Sequence, residues 1–294
     1  MPAQADAEAH YAQRQLLAAT AATVATRQWA TVDTANIGAS WARHVPATVT
    51  AVTGAQTAAA RTAQPYIALA LSRLNAPPYE LAADAFTGAA DGRDLAMLLY
   101  QPVITALAAI KAGQPTPVAL ALGQVQLDTI VRTEVADAGR TADQVAATVH
   151  RAGGYIRLVV GATCNRCIIL AGRVYPWSTG FLRHPRCDCV MIPVNDANTV
   201  HIEQSPERVY AAMTPEQRSR AGWSQAEQQA IADGADIAAV TNIHRGGLYV
   251  AGGRQYTYEA VRGRPRITPR QIYREARGDR AEAIRLLKLH HYIR

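Results

Sequence analysis

Cysteine is scarce in this sequence. The 294 residues hold four, all between Cys164 and Cys189, and in a reducing compartment they point to metal or to free thiols before disulfides. Aromatic residues make up 6% and charged residues 18%, the latter below the usual ~25%, while a hydrophobic content of 49% argues for packed helices over disorder. Long apolar runs are missing too. The longest uncharged one, Leu95 to Ile110, is broken by Gln101 and Pro102 and falls short of the ~20 residues a bilayer span requires. Asp6 and Glu8 stand where a secretory peptide needs apolar residues, so no targeting segment is expected. There is no internal repeat, no heptad run, and no G-x-S-x-G, H-E-x-x-H or phosphate-loop pattern. The expectation is a soluble protein folded in a reducing cytoplasm, with no membrane partner, no small-molecule substrate and no catalytic residues.

What is abundant is helix-forming sequence. Residues 7–75 read as long helices, interrupted sparsely by Gly38, Pro46, Gly54 and Pro65. Leu16, Leu17, Ala21, Val24 and Ala25 recur at the three-and-four spacing of one buried helix face. Pro77-Pro78 and the run from Thr87 to Gly92 punctuate the pattern, a second helical block runs from Arg93 to Pro115, and a third from Pro117 to His150. In the third, Arg132 and Glu134 lie beside Ile130, Val131, Val135 and Ala138 and read as ion pairing on a packed helix rather than as catalytic groups.

After Gly153-Gly154 the texture changes. Tyr155 to Thr163 is short and β-branched, Cys189 to Val194 reads as its partner strand, and Ala171 to Gly180 as a loop between them. Helices then resume. Ser205, Thr214, Ser224 and Thr268 each precede helix formers as capping hydroxyls, and Gln217, Glu227 and Gln271 complete capping boxes after the last three. Ile243 to Arg266 reads as a flexible or ribbon-like insertion, and Gly278 to Arg294 as a closing amphipathic helix with Ile284, Leu287 and Ile293 as its apolar stripe. The fold class is therefore mainly α with a small α+β portion: long N-terminal helices, a Cys-clamped β-hairpin and short C-terminal helices. Three regions are expected, a helical 1–115, a 116–195 core carrying the hairpin, and a basic helical 196–294.

The net charge of +7 is unevenly spread. Residues 245–294 hold 12 Arg and Lys against 4 Asp and Glu, which leaves the rest of the chain near neutrality. Such a tail suits nucleic acid or an acidic protein surface, the plainer alternative being a solvated helical face.

The cysteines form two close pairs. Cys164 and Cys167 make a C-x-x-C turn, and Cys187 and Cys189, two apart, point to the same face of an extended strand. A hairpin closing over residues 168–186 would bring the pairs together as four zinc ligands, with His184 as the substitute for one of them. Such a zinc would be structural, since four protein ligands leave no open position for water. The alternative is a cluster of buried or paired thiols that holds the hairpin without metal.

The C-x-x-C, the glycine-containing loop and "HPRCDC" at 184–189, followed by apolar residues and Pro193, resemble the end of the phage Mu protein F-like domain of minor head proteins, where H-P-x-C-R-C is usual. "IVRTEVADAGR" at 130–140 resembles the Arg-Thr-Glu helix upstream of it, and the stretches from Met213 and from Ile267 are similar to the tail of the actinobacteriophage branch. The likeness runs from about Ala60 to the C-terminus, with Asp188 standing where arginine is usual. It implies a virion protein of head morphogenesis, portal-proximal and inside the shell, in the host cytoplasm during assembly. Portal and major capsid proteins would be its partners. Packaged double-stranded DNA would be touched without sequence preference through Arg262, Arg264, Arg266 and Arg270. The other reading is a virion-associated enzyme, a capsid maturation protease or nuclease, with His184, His201, His244, His290 and His291 and Asp233 or Asp236 as candidates; no Ser/His/Asp or His/Glu spacing connects them.

Overall fold

A computed structural model of the chain describes residues 2–71, 79–161, 163–180, 184, 189–194, 204–261 and 263–294. Pro77-Pro78, Cys187, Asp188, His201 and Arg262 lie outside these described residues. The chain divides into two units, 1–160 with 174–202 and 161–173 with 203–294. Ala18, Trp29, Trp41, Leu99, Leu127 and Val131 belong to a single buried cluster of the first unit.

The first unit carries α1 (Pro2–Trp29), α2 (Ile37–Ala42), α3 (Val45–Arg61), α4 (Ala63–Ala70), α5 (Leu95–Lys111) and α6 (Thr116–Val149), then the strands β1 (Gly154–Val159), β2 (Val174–Pro176) and β3 (Cys189–Val194). Asp94 caps α5 by accepting the Met97 N–H, and Pro117 opens α6 where a missing N–H costs nothing. The buried face of α1 differs from the expected one. Ala7, His10, Arg14, Ala18, Ala21, Ala25 and Trp29 line it, while Leu16 and Val24 are exposed. Small alanines let the α1 backbone lie close to its neighbours, and the bulk arrives only at Trp29. The Trp29 indole donates to the Leu120 carbonyl at 3.0 Å and meets Trp41 edge-on at 5.0 Å. Gly123 is required there, because a Cβ at that position would lie 2.5 Å from the Trp29 ring and 2.9 Å from the Pro102 carbonyl oxygen. Each large apolar side chain buried in this core, such as Leu99 or Leu127, contributes about 1.5–3 kcal/mol.

The sheet runs β2-β1-β3, both pairings antiparallel, with Val159 opposite Cys189 and Tyr155 opposite Tyr175. β1 and β3 are the expected partners, but β2 falls inside the stretch read as loop. Its glycines and proline obscured a strand of three residues. Tyr66 of α4 fastens the sheet by donating to the Met191 carbonyl at 2.6 Å.

The second unit holds α7 (Asn165–Ile168), α8 (Pro206–Ala212), α9 (Pro215–Ala221), α10 (Gln225–Ala232), α11 (Ile237–Thr241), then β4 (Leu248–Ala251), β5 (Arg254–Val261) and β6 (Arg264–Ile267), and finally α12 (Pro269–Ala276) and α13 (Arg280–Leu289). Ser205, Thr214, Ser224 and Thr268 are N-caps, as their sequence positions require, and Thr214/Gln217 and Ser224/Glu227 form full capping boxes. Gln271 does not close a third box; its side-chain oxygen accepts the Gln255 N–H from β5 instead. The ribbon-like insertion is an antiparallel sheet of order β4-β5-β6. The closing helix buries Ala283, Leu286, Leu287 and the following Tyr292, with Ile284 and Ile293 only half-buried. Tyr292 explains the shift of the stripe: its hydroxyl donates to the Ile267 carbonyl at 3.0 Å and its own carbonyl accepts the Asp236 N–H at 2.8 Å.

Candidate metal centre and nucleic-acid interface

The C-x-x-C motif sits on the single turn of α7. Cys164 occupies the N-cap position, and its carbonyl accepts the N–H groups of Cys167 and Ile168 at 3.0 and 3.1 Å. Three residues of helical spacing place both sulfurs on one side of that turn. Cys164 and Cys167 each offer one thiolate as a ligand atom for a metal ion, and His184 offers an imidazole. Two thiolates and an imidazole are the soft N/S donor set that zinc prefers, and not the oxygen set of calcium or magnesium. Cys189 is buried on β3, with its carbonyl 3.4 Å from the Arg140 Nε, and Arg140 in turn pairs with Asp137 at 3.0 Å. Cys187, the remaining expected ligand, is outside the described residues.

The Arg-Thr-Glu helix is α6. Arg132 pairs with Asp128 at 2.8 Å, one turn back, and not with Glu134. Glu134 is buried and accepts the Ala90 N–H at 2.7 Å, so its charge serves the loop before α5. Glu134, Asp137 and His184 border one groove of about 410 Å³, which brings the Arg-Thr-Glu helix and His184 to the same place.

The four arginines expected at DNA separate. Arg270 is exposed. Arg266 is buried: its Nε donates to the His290 carbonyl at 2.9 Å and its guanidinium lies 3.9 Å over the Tyr292 ring. It holds the tail together and cannot reach a phosphate, because cross-strand pairing with buried Thr257 turns it inward. Arg264 lies on β6, and Arg262 is outside the described residues. Of the candidates for an enzyme, three have side-chain partners: Asp233 accepts from Tyr273 and Arg280, each at 2.8 Å, Asp236 caps α11, and His244 meets Glu227 at 2.7 Å.

One buried polar cluster escaped the sequence reading. Arg14 of α1 forms a two-pronged pair with Asp143 of α6, and His10 approaches the same carboxylate at 3.2 Å while stacking on Tyr66 at 3.9 Å. Burial alone would raise the Asp143 carboxyl, but the Arg14 charge and the hydrogen bonds from His10 and Arg14 outweigh it and hold the group below its ordinary range. Burial lowers His10, against the pull of Asp143, so its ring is neutral near pH 7. Gly139 makes the space: a Cβ there would lie 2.7 Å from the Arg14 Nε. A glycine inside a helix costs ~1 kcal/mol against alanine, and Gly139 and Gly123, both inside α6, were the signals available in the sequence.

The family model for VG15 protein matches residues 1–216. The chain belongs to the VG15 family. VG15 is a phage gene family, which makes this a phage protein. No curated protein and no solved structure matches it. The VG15 match takes in every cysteine, the Arg-Thr-Glu helix and α8, and stops in the first turn of α9. The sheet β4-β5-β6 and helices α12 and α13 lie beyond the VG15 span. Among the described residues no helix of this VG15 protein is long and apolar enough to cross a membrane.

Proposed function

We propose that this VG15 protein acts in phage head morphogenesis as a minor head protein of the Mu protein F-like kind, without catalytic activity of its own. The observation that carries the reading is the division of charge. The first unit holds 13 Arg and Lys against 13 Asp and Glu and is neutral, whereas the second holds 17 against 10, so the whole +7 resides there. A neutral unit suits docking on protein and a cationic one suits phosphate.

The docking face lies on α5 and α6. Met97, Ile104, Val118, Leu122 and Val125 are all exposed, and between Leu95 and Leu127 the only charged residue is Lys111. Thr105 and Gln126, sequence neighbours of Ile104 and Val125, hydrogen-bond across the two helices. Exposed apolar side chains concentrated on two neighbouring helices suit protein contact, and portal or major capsid subunits are the proposed partners. The basic unit would contact packaged duplex DNA without reading sequence. The cysteine-rich stretch would hold one structural zinc, with Cys164, Cys167 and His184 among its ligands; when bound, the ion supplies cross-linking and no open position for chemistry. The protein would thus reside in the virion, inside the head and close to the portal.

Complementation of a gene-deleted phage tests the reading. Particles assembled with the wild-type chain should contain it by mass spectrometry. Particles assembled with an Ile104→Glu/Leu122→Glu chain should lack it, although the variant folds. Incorporation of the variant at wild-type level would contradict docking through this face. Metal analysis of the purified chain under reducing conditions should find about one zinc per molecule, and none would remove the zinc.

A further inference from the structure

The β4-β5 hairpin closes through Gly252-Gly253, both at positive φ, a two-residue turn whose backbone twist only such residues accept easily. That turn sets Tyr249 directly opposite Tyr256, and Tyr258, two residues further along β5, falls on the same face. The three rings form a file: Tyr249 lies 5.3 Å from Tyr256 at 17° and 4.7 Å from Tyr258 at 40°. Tyr258 is 62% exposed, and Tyr249 and Tyr256 are half-buried. The opposite face anchors the ribbon, since Thr257 is buried and donates to the Ile243 carbonyl, and its cross-strand partner Arg266 is the one stacked on Tyr292. The tyrosine face is closed at β6, where Ile267 is buried, and open toward the edge strand β4.

Aromatic rings kept at a surface without an apolar cover need a reason, and the electrostatics supply one. Arg245 stands just before β4 and Arg254 just after the turn, so a cation marks each end of the open strand. Arg245, itself exposed, holds only a loose contact with half-buried Glu259 at 3.7 Å, of the kind worth little and readily exchanged for phosphate, whereas exposed Arg254 is held more firmly, in a two-pronged pair with half-buried Glu275 at 3.0 Å. The surrounding unit carries the full +7. A file of rings flanked by cations is a stacking platform: every base has a π-face, and the backbone is drawn by charge. A duplex hides its base faces inside the stack, so only unpaired bases can use the platform.

We propose that the Tyr249/Tyr256/Tyr258 face binds unpaired bases of single-stranded DNA, with Tyr258 as the principal stacking residue. This rests on the DNA-contact reading above and adds the form of DNA that the sheet selects. The test uses the full chain, a labelled oligothymidine of about a dozen nucleotides and a random duplex of equal length, by fluorescence anisotropy at fixed salt. Tyr258→Ala should weaken oligothymidine binding by about ten-fold or more and leave the duplex affinity unchanged. Tyr258→Trp should retain single-strand binding, and Val250→Ser, an exposed residue on the opposite face, should change neither. Unaltered single-strand affinity in Tyr258→Ala, or duplex binding with no binding of oligothymidine, overturns the platform while leaving DNA contact standing. Failure to bind either DNA overturns both.

Discussion

Helix α6 runs for 34 residues, while the longest helix of the second unit, α13, runs for ten. The difference marks two ways of holding helices together. In the first unit, length allows stacked contacts along alanine-lined faces, glycines admit Trp29 and Arg14, and a buried ionic cluster joins α1 to α6 across 129 residues of sequence. In the second, helices too short to sustain themselves are set one by one through N-caps on Ser205, Thr214, Ser224, Asp236, Thr268 and Asp279. A small core of Trp223, Ile243, Ile272, Leu287 and Tyr292 completes it. The net charge follows the same split, zero in the first unit and +7 in the second.

Substitutions that strike one device should therefore leave the other unit alone, and calorimetry with unit-specific probes can tell. The largest effect is expected for Asp143→Ala. It strands Arg14 in the interior and should cost about 3–5 kcal/mol in the first unit, with the transition followed by Trp223 fluorescence in the second unit unmoved. Next comes Gly123→Ala, whose Cβ must displace the Trp29 ring or the Pro102 carbonyl; a loss of about 1–3 kcal/mol should appear in the same transition. Ser224→Ala removes the Glu227 N–H acceptor at the head of α10 and should lower the second unit by about 1 kcal/mol, leaving the first intact. A Ser224→Ala effect seen equally in both units would break the comparison.

Acid gives the gentlest probe. Both His10 and Asp143 sit below their ordinary values in the folded chain, so between folded and unfolded values the unfolded state binds more protons. Stability of the first unit should then be fully present above pH 6.5, the ordinary value of His10, and decline as pH falls. It should decline again below 3.8, the ordinary value of Asp143. In Asp143→Asn the decline below 3.8 should shrink, which melting curves across pH can read.

Much of the fold was legible because it rests on local signals. Capping hydroxyls, prolines at first helical turns and β-branched runs located α5, α6, β1, β3 and most of the short helices to within a few residues. What stayed hidden depends on partners distant in sequence. Leu16 and Val24 look more like core than Ala18 or Arg14 until α6 is in place with Gly139 beneath the guanidinium. Arg266 reads as a phosphate contact among its neighbours in sequence, and only the β5-β6 pairing and Tyr292 reveal it as interior. The C-x-x-C and His184 were visible as ligand types, whereas the tyrosine file depends on cross-strand register, which a ribbon-like reading leaves open.

The charge division is tested most directly by the salt dependence of random-duplex binding in two triple variants of the full chain. One reverses exposed cations of the second unit (Arg270→Glu, Lys288→Glu, Arg294→Glu) and the other reverses exposed cations of the first (Arg27→Glu, Arg43→Glu, Arg61→Glu). The slope of log K against log salt should fall by about 0.9 for each phosphate left without its cation in the former and stay at the wild-type value in the latter. An equal fall in both, or a wild-type affinity indifferent to salt, would contradict a basic unit built to meet DNA.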